Sequence, residues 1–154
     1  MKDSQPKKGL TMTRNIQSMS LPMAKALIKG AQAEAKKLGY NIVTSVYDNH
    51  GNIKAFERMD ETSFGSIQVS QLKAKTAANF PVSTSDLAIR SAAMDANPYS
   101  SIPDMLLLGG GLPIFTPEKV HIGSIGISGA TPEVDTACAE KGIEQLYDEL
   151  GWLK

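Results

Sequence analysis

The chain has 154 residues, 42% of them apolar and 21% charged, with 16 basic and 16 acidic side chains and a formal net charge of zero. That length suits one domain with a core large enough to fold without disulfides or metal. The absence of a basic excess argues against nucleic-acid binding, and no apolar run reaches the ~18 residues of a membrane span.

Residues 1–18 are polar and without a clear period, and are expected to form a flexible N-terminal arm ahead of a single domain over 19–154. The arm has no apolar h-region, so it does not read as a secretory signal. The lone cysteine, Cys138, cannot close an internal disulfide and points to a reducing, cytoplasmic setting.

Leu21, Ala24, Leu27, Ile28, Ala31, Ala35 and Leu38 recur at helical spacing, with Ser20 as N-cap, Pro22 in the first turn and Gly39 at the C-terminus. Two β-prone runs, 40–48 and 52–59, flank Asn49-His50-Gly51 and predict a hairpin. Helices are expected over 66–80 and over 84–95, the latter capped by Ser83, Thr84 or Ser85. A loop over 98–103 precedes strands near 104–108, 112–116 and 119–127. Thr131-Pro132-Glu133 opens a last helix with Val134, Cys138, Ile143, Leu146 and Leu150 inward, ended by Gly151. Strands in adjacent groups favour an α+β fold with an antiparallel sheet.

The most informative stretch is 106–130, in which glycine occupies 109, 110, 111, 123, 126 and 129 amid apolar residues. Glycine in a strand marks a bulge, a bend or a place where something lies against main chain. On the last strand, His121, Gly123, Ile125 and Ile127 share one face, and Ile122, Ser124, Gly126 and Ser128 the other. Both faces are partly apolar and so expected to be covered, the second by a partner subunit or a flat apolar ligand. The spacing of Gly123, Gly126 and Gly129 is not that of a phosphate loop, and Glu133 and Asp135 would repel an anion at the following helix.

Arg58 and Asp60 end the hairpin, either as a solvated ion pair or with the guanidinium placed to grip a carboxylate. Lys73 sits on a partly apolar helical stripe, so it either snorkels or is held inward by a carboxylate, for which Asp60 is a candidate. His50, in a turn, and His121, in a strand, have no zinc-site spacing. Either could serve as a single axial ligand to heme iron, with Met59, Tyr47 and Cys138 as weaker options. No serine-hydrolase arrangement is present.

Taken together, VTSVYDNHGNIKAFERMD, QLKAKTAANF, GGGLPIF and IGSIGISGATPEVDTACAEKGI resemble, in order and spacing, the GlcG/HbpS-like heme-binding family, which is related to the C-terminal domain of PduO-type proteins. The resemblance spans about residues 20–147. It rests on Asp48 and Gly51, on Arg58, Met59 and Asp60, on Lys73 and Thr76, on Gly110, Gly111 and Pro113, and on Gly126, Ser128, Gly129 and Asp135. It implies a profilin-like fold, symmetric homo-oligomers (often octamers), heme as cofactor, and a link to glycolate, glycerol or propanediol metabolism. The implied ligand-binding set is Arg58, Asp60, Lys73, Thr76, Gly110, Gly111, Pro113, Gly126, Ser128 and Gly129. No axial ligand carries over by motif.

The leading expectation is a cytoplasmic oligomer that sequesters heme, with Arg58 or Lys73 pairing with its carboxylates. One alternative is an enzyme or accessory subunit that orients a small hydroxy acid or diol through Arg58, Asp60 and Lys73. The other is a purely structural oligomer whose glycines serve subunit packing.

Overall fold

The computed structural model describes residues 9–10 and 13–153. Helix α1 (Leu21–Leu38) leads into β1 (Val43–Asp48) and β2 (Ile53–Arg58). Helices α2 (Gly65–Asn79) and α3 (Thr84–Ala92) and a 3-10 turn (Pro98–Ser101) follow. Then come β3 (Gly111–Phe115), β4 (His121–Ser128) and α4 (Pro132–Glu149). The four strands form one antiparallel sheet in the order β2-β1-β4-β3, so the fold is α+β as expected.

The helix signals in the sequence act as read. The Ser20 hydroxyl accepts from Met23 N, and Gly39 ends α1 at φ 82°. Ser83 caps α3 through Asp86 N, and Thr131 caps α4 through Val134 N. Asp48 tightens the hairpin by accepting from the backbone N–H groups of His50 (2.9 Å) and Asn52 (3.1 Å).

Helices α1 and α4 pack on one face of the sheet, against Val46, Ile114, Ile125 and Ile127. Helix α2 covers the other face over β1, β4 and β3. This corrects the expectation that a ligand or partner would be needed there: the chain supplies the cover itself. The glycines make it possible. A Cβ on Gly126 would stand 2.2 Å from Ser70 O, and one on Gly111 2.5 Å from Lys73 O.

Three local expectations also differ. Residues 104–108 form no strand, because side chains bind their backbone: Leu106 N donates to Thr76 Oγ1 (3.0 Å), and Thr84 Oγ1 donates to Leu108 O (2.6 Å). The loop over 98–103 contains the 3-10 turn. Leu150, at the C-cap of α4, is exposed rather than inward. Of the expected N-terminal arm, residues 1–8, 11 and 12 lie outside the described residues. Residues 13–18 are exposed, and Met19 is buried.

Candidate functional site

The motif residues separate into an internal set and an open set. Lys73 heads the internal set. It is 1% exposed, and its Nζ donates to Asp135 Oδ2 (2.9 Å) and to Ile127 O (2.9 Å). Its partner is therefore Asp135 in the first turn of α4, not Asp60. Asp135 Oδ1 also accepts from Ala130 N (3.0 Å). Burial raises the Asp135 pKa, and the Lys73 ammonium and the Ala130 N–H oppose the rise. The pair passes the end of the sheet and ties α2 to α4.

Gly110, at φ 125°, leaves room for the ammonium, since a Cβ there would lie 2.8 Å from Nζ. Thr76 is buried on the backbone of Leu106, and Gly129 meets the Asn41 carbonyl. Ser128 is buried in β4. Pro113 lies in edge strand β3, where its missing N–H is tolerated.

The open set lies on the hairpin. Arg58 and Asp60 are exposed at its end. Between them, Met59 is committed to the fold: its Sδ accepts from Ile42 N (3.4 Å), and its own N–H donates to Ile42 O (3.1 Å). Arg58, Asp60 and Lys73 are thus not assembled into one polar trio, and the arrangement invoked for an enzyme is not formed.

Phe56 and Arg58 pair with Ser45 and Val43 on the α2 side of the sheet, over edge strand β2, beyond the strands that α2 covers. Phe56 is half-buried, and Ile53 is exposed on the same strand. Phe64, just before α2, is 83% exposed. At the far end of the hairpin the exposed His50 occupies the turn, which Gly51 seats against Asn79. The strand between these ends runs ~17 Å.

The remaining axial candidates are enclosed. His121 is half-buried with its ring 5.5 Å from Phe115, and its Nε2 is buried without a hydrogen-bond partner. Burial lowers its pKa, against a backbone hydrogen bond at Gly123. Cys138 is fully buried, and burial, aided by the charges of Asp135 and Glu34, pushes its thiol up to about 11. Burial also raises the pKa of the half-buried Tyr47. Among the described residues no cluster of three or more His, Cys, Asp or Glu could hold a metal ion.

Heme needs an apolar wall, a cation for its carboxylates and an axial donor. The apolar groove between α3 and α4, about 550 Å³, has the size. It carries Glu133 and Glu140 but no cation or axial donor, and so does not fit the group. The hairpin strip fits in kind, with Phe56 and Ile53 as apolar surface, Arg58 as cation and His50 as donor. It is one wall of a site, because β2 is an edge strand with no further strand beyond it among the described residues.

A family model described as "Haem degrading protein HbpS-like" matches residues 19–144. This chain belongs to the HbpS-like family. A 15.0 kDa Citrobacter freundii protein encoded between dhaT and dhaS is 30% identical over 144 residues, covering 92% of this chain and all of that one. The fold matches the crystal structure of Klebsiella pneumoniae ORFY at TM-score 0.81 and 26% identity, over 89% of this chain and 96% of that one. A crystal structure of a PduOC:heme complex matches at TM-score 0.76 and 26% identity, over 83% and 94%. Within this HbpS-like chain, Lys73, Asp135 and the glycines around them were legible as motif residues, but the Lys73–Asp135 contact was not. The two lie 62 positions apart, and no local pattern joins them. No helix among the described residues is long and apolar enough to cross a membrane.

Proposed function

We propose that this protein is a heme-binding homo-oligomer that sequesters its ligand on the hairpin strip. The observation that carries the reading is the exposed Arg58 next to apolar surface on an open edge strand, in a chain of HbpS-like sequence and fold. Lys73 is committed to Asp135, which leaves Arg58 as the cation for a heme carboxylate. Phe56 and Ile53 exclude water from one side of the macrocycle, and a second protomer supplies the facing wall. His50 is the accessible imidazole for axial ligation. Bound heme would supply a redox-active iron. A cytoplasmic setting and an accessory role in glycolate, glycerol or propanediol metabolism belong to the same proposal and rest on the resemblance.

Titrating hemin into the pure protein and following the Soret band tests the reading. The expected result is saturable binding with a shifted band, weakened about ten- to a hundredfold by Arg58→Ala through loss of one charge-assisted hydrogen bond of about 1.5–3 kcal/mol. Thermal stability should be unchanged, since Arg58 is a surface side chain. A flat titration ends the heme reading and leaves a structural oligomer.

A further inference from the structure

The α3–α4 groove rejected above as a heme site has a chemistry of its own. Its volume, about 550 Å³, is that of an ordinary small-molecule site. Helix α4 supplies one wall through Glu133, Thr136, Ala137 and Glu140. These positions follow the i, i+3, i+4, i+7 spacing of a single helical face. The two carboxylates therefore stand at the ends of the wall, ~10 Å apart along the helix axis, with only a threonine and an alanine between them. The Thr136 hydroxyl is spent on its own helix, donating to Pro132 O (2.8 Å).

The facing wall is apolar. Ile89 of α3 is 68% exposed, and Leu107 and Leu108 continue the surface. No lysine, arginine or histidine lines the groove. Neither Glu133 nor Glu140 enters an ion pair among the described residues, whereas Asp135 is turned inward onto Lys73.

An apolar trough with a carboxylate at each end and no cation selects a ligand that is apolar in the middle and positive at both ends. The spacing of the carboxylates sets its length. A chain of tetrahedral carbons advances ~1.25 Å per bond, so the nine bonds from nitrogen to nitrogen of an eight-carbon terminal diamine reach ~11 Å.

We infer that the α3–α4 groove binds a linear aliphatic diammonium cation. Its methylene chain lies along Ile89, Leu107 and Leu108, and its two ammonium groups sit on Glu133 and Glu140. The site is separate from the hairpin strip and does not rest on the heme reading.

Titrating terminal diaminooctane into the isotope-labelled full chain at low ionic strength, followed by amide NMR shifts, tests the assignment. The expected shifts saturate and are confined to residues 88–89, 107–109 and 133–140. Octylamine keeps the chain length and loses one charge, and should bind about three- to fivefold more weakly, the worth of one exposed ion pair. Diaminobutane cannot span both carboxylates and buries four fewer methylene groups, so it should bind at least about tenfold more weakly. Glu133→Gln and Glu140→Gln should each bring diaminooctane down to about the affinity of octylamine, while changing octylamine itself less than about twofold. Both glutamates are exposed, so the variants should fold as wild type and leave the hemin titration unchanged. Equal affinity for the three amines, wild-type affinity in the glutamine variants, or no saturable shift overturns the assignment. So do shifts centred instead on Glu34, Glu144 and Asp148, the acidic side chains between α1 and α4.

Discussion

The two faces of the central sheet are closed in different ways. Toward α1 and α4 the strands present Val46, Ile114, Ile125 and Ile127, which interlock with Leu27, Ile28 and Leu146. Toward α2 they present Ser45, Ser124, Gly111 and Gly126, and α2 answers with Ser70, Ala74, Ala77 and Ala78. There the Ser45 and Ser70 hydroxyls share a hydrogen bond (2.9 Å), and Ser124 donates to Ala74 O. The first face is held by side-chain volume, which tolerates exchange of similar shapes. The second is held by backbone proximity, which tolerates none. Gly111 and Gly126 therefore serve the chain's own α2, and the open chemistry is displaced to the edge that α2 does not reach.

The largest effect is expected at the link between the two helical layers. Lys73→Met leaves Asp135 buried without its cation and should cost about 3–5 kcal/mol, read as a lowered denaturant midpoint. Lys73→Met with Asp135→Leu should recover much of that loss, because no charge is then stranded. A single variant that unfolds at the wild-type midpoint would show that α2 and α4 do not depend on the pair.

Adjacent residues of β4 compare the faces directly. Ile125→Ala opens a cavity under α4 and should cost about 2–5 kcal/mol, with Ile125→Val costing only about 0.5–1.5. Gly126→Ala forces a methyl to within 2.4 Å of Ala74 N and should cost about 3 kcal/mol, with no milder substitution available. Stability unchanged in Gly126→Ala would mean that α2 is not seated on bare backbone.

The sequence made some of this legible and not the rest, for physical reasons. Caps at Ser20, Ser83 and Thr131, the Asn49-His50-Gly51 turn and the alternation along β4 are local, so a few neighbouring residues suffice to read them. The glycines announced a close approach but carry no information about what approaches. A ligand or partner was expected where α2 lies. Lys73 on an apolar stripe reads as snorkelling or as held inward by a carboxylate, with Asp60 as a candidate, whereas the fold brings Asp135. The 104–108 run has strand-like residues, yet Thr76 and Thr84 claim its backbone. Arg58 was readable as a cation at a strand end, and its openness follows from β2 being an edge, which is a property of the whole topology.

The smallest expected effect concerns His121, at the rim of the apolar face, in alternation with Ile125 and Ile127. Its Nε2 is shielded from water without a partner, and burial holds its pKa below the usual histidine value. Above about pH 6.5 the imidazole is neutral in both folded and unfolded chains, and its packing contributes fully. As pH falls through that value the unfolded chain takes up a proton that the folded chain refuses, so stability declines toward the lower folded pKa. Denaturation midpoints measured between pH 7.5 and 5 should therefore fall more steeply for wild type than for His121→Phe, which keeps the contact with Phe115 but cannot titrate. Parallel slopes would mean that protonated His121 finds a partner or reaches water. The rim of the apolar face would then be as open as the hairpin edge, and the imidazole would stand beside His50 as an accessible donor.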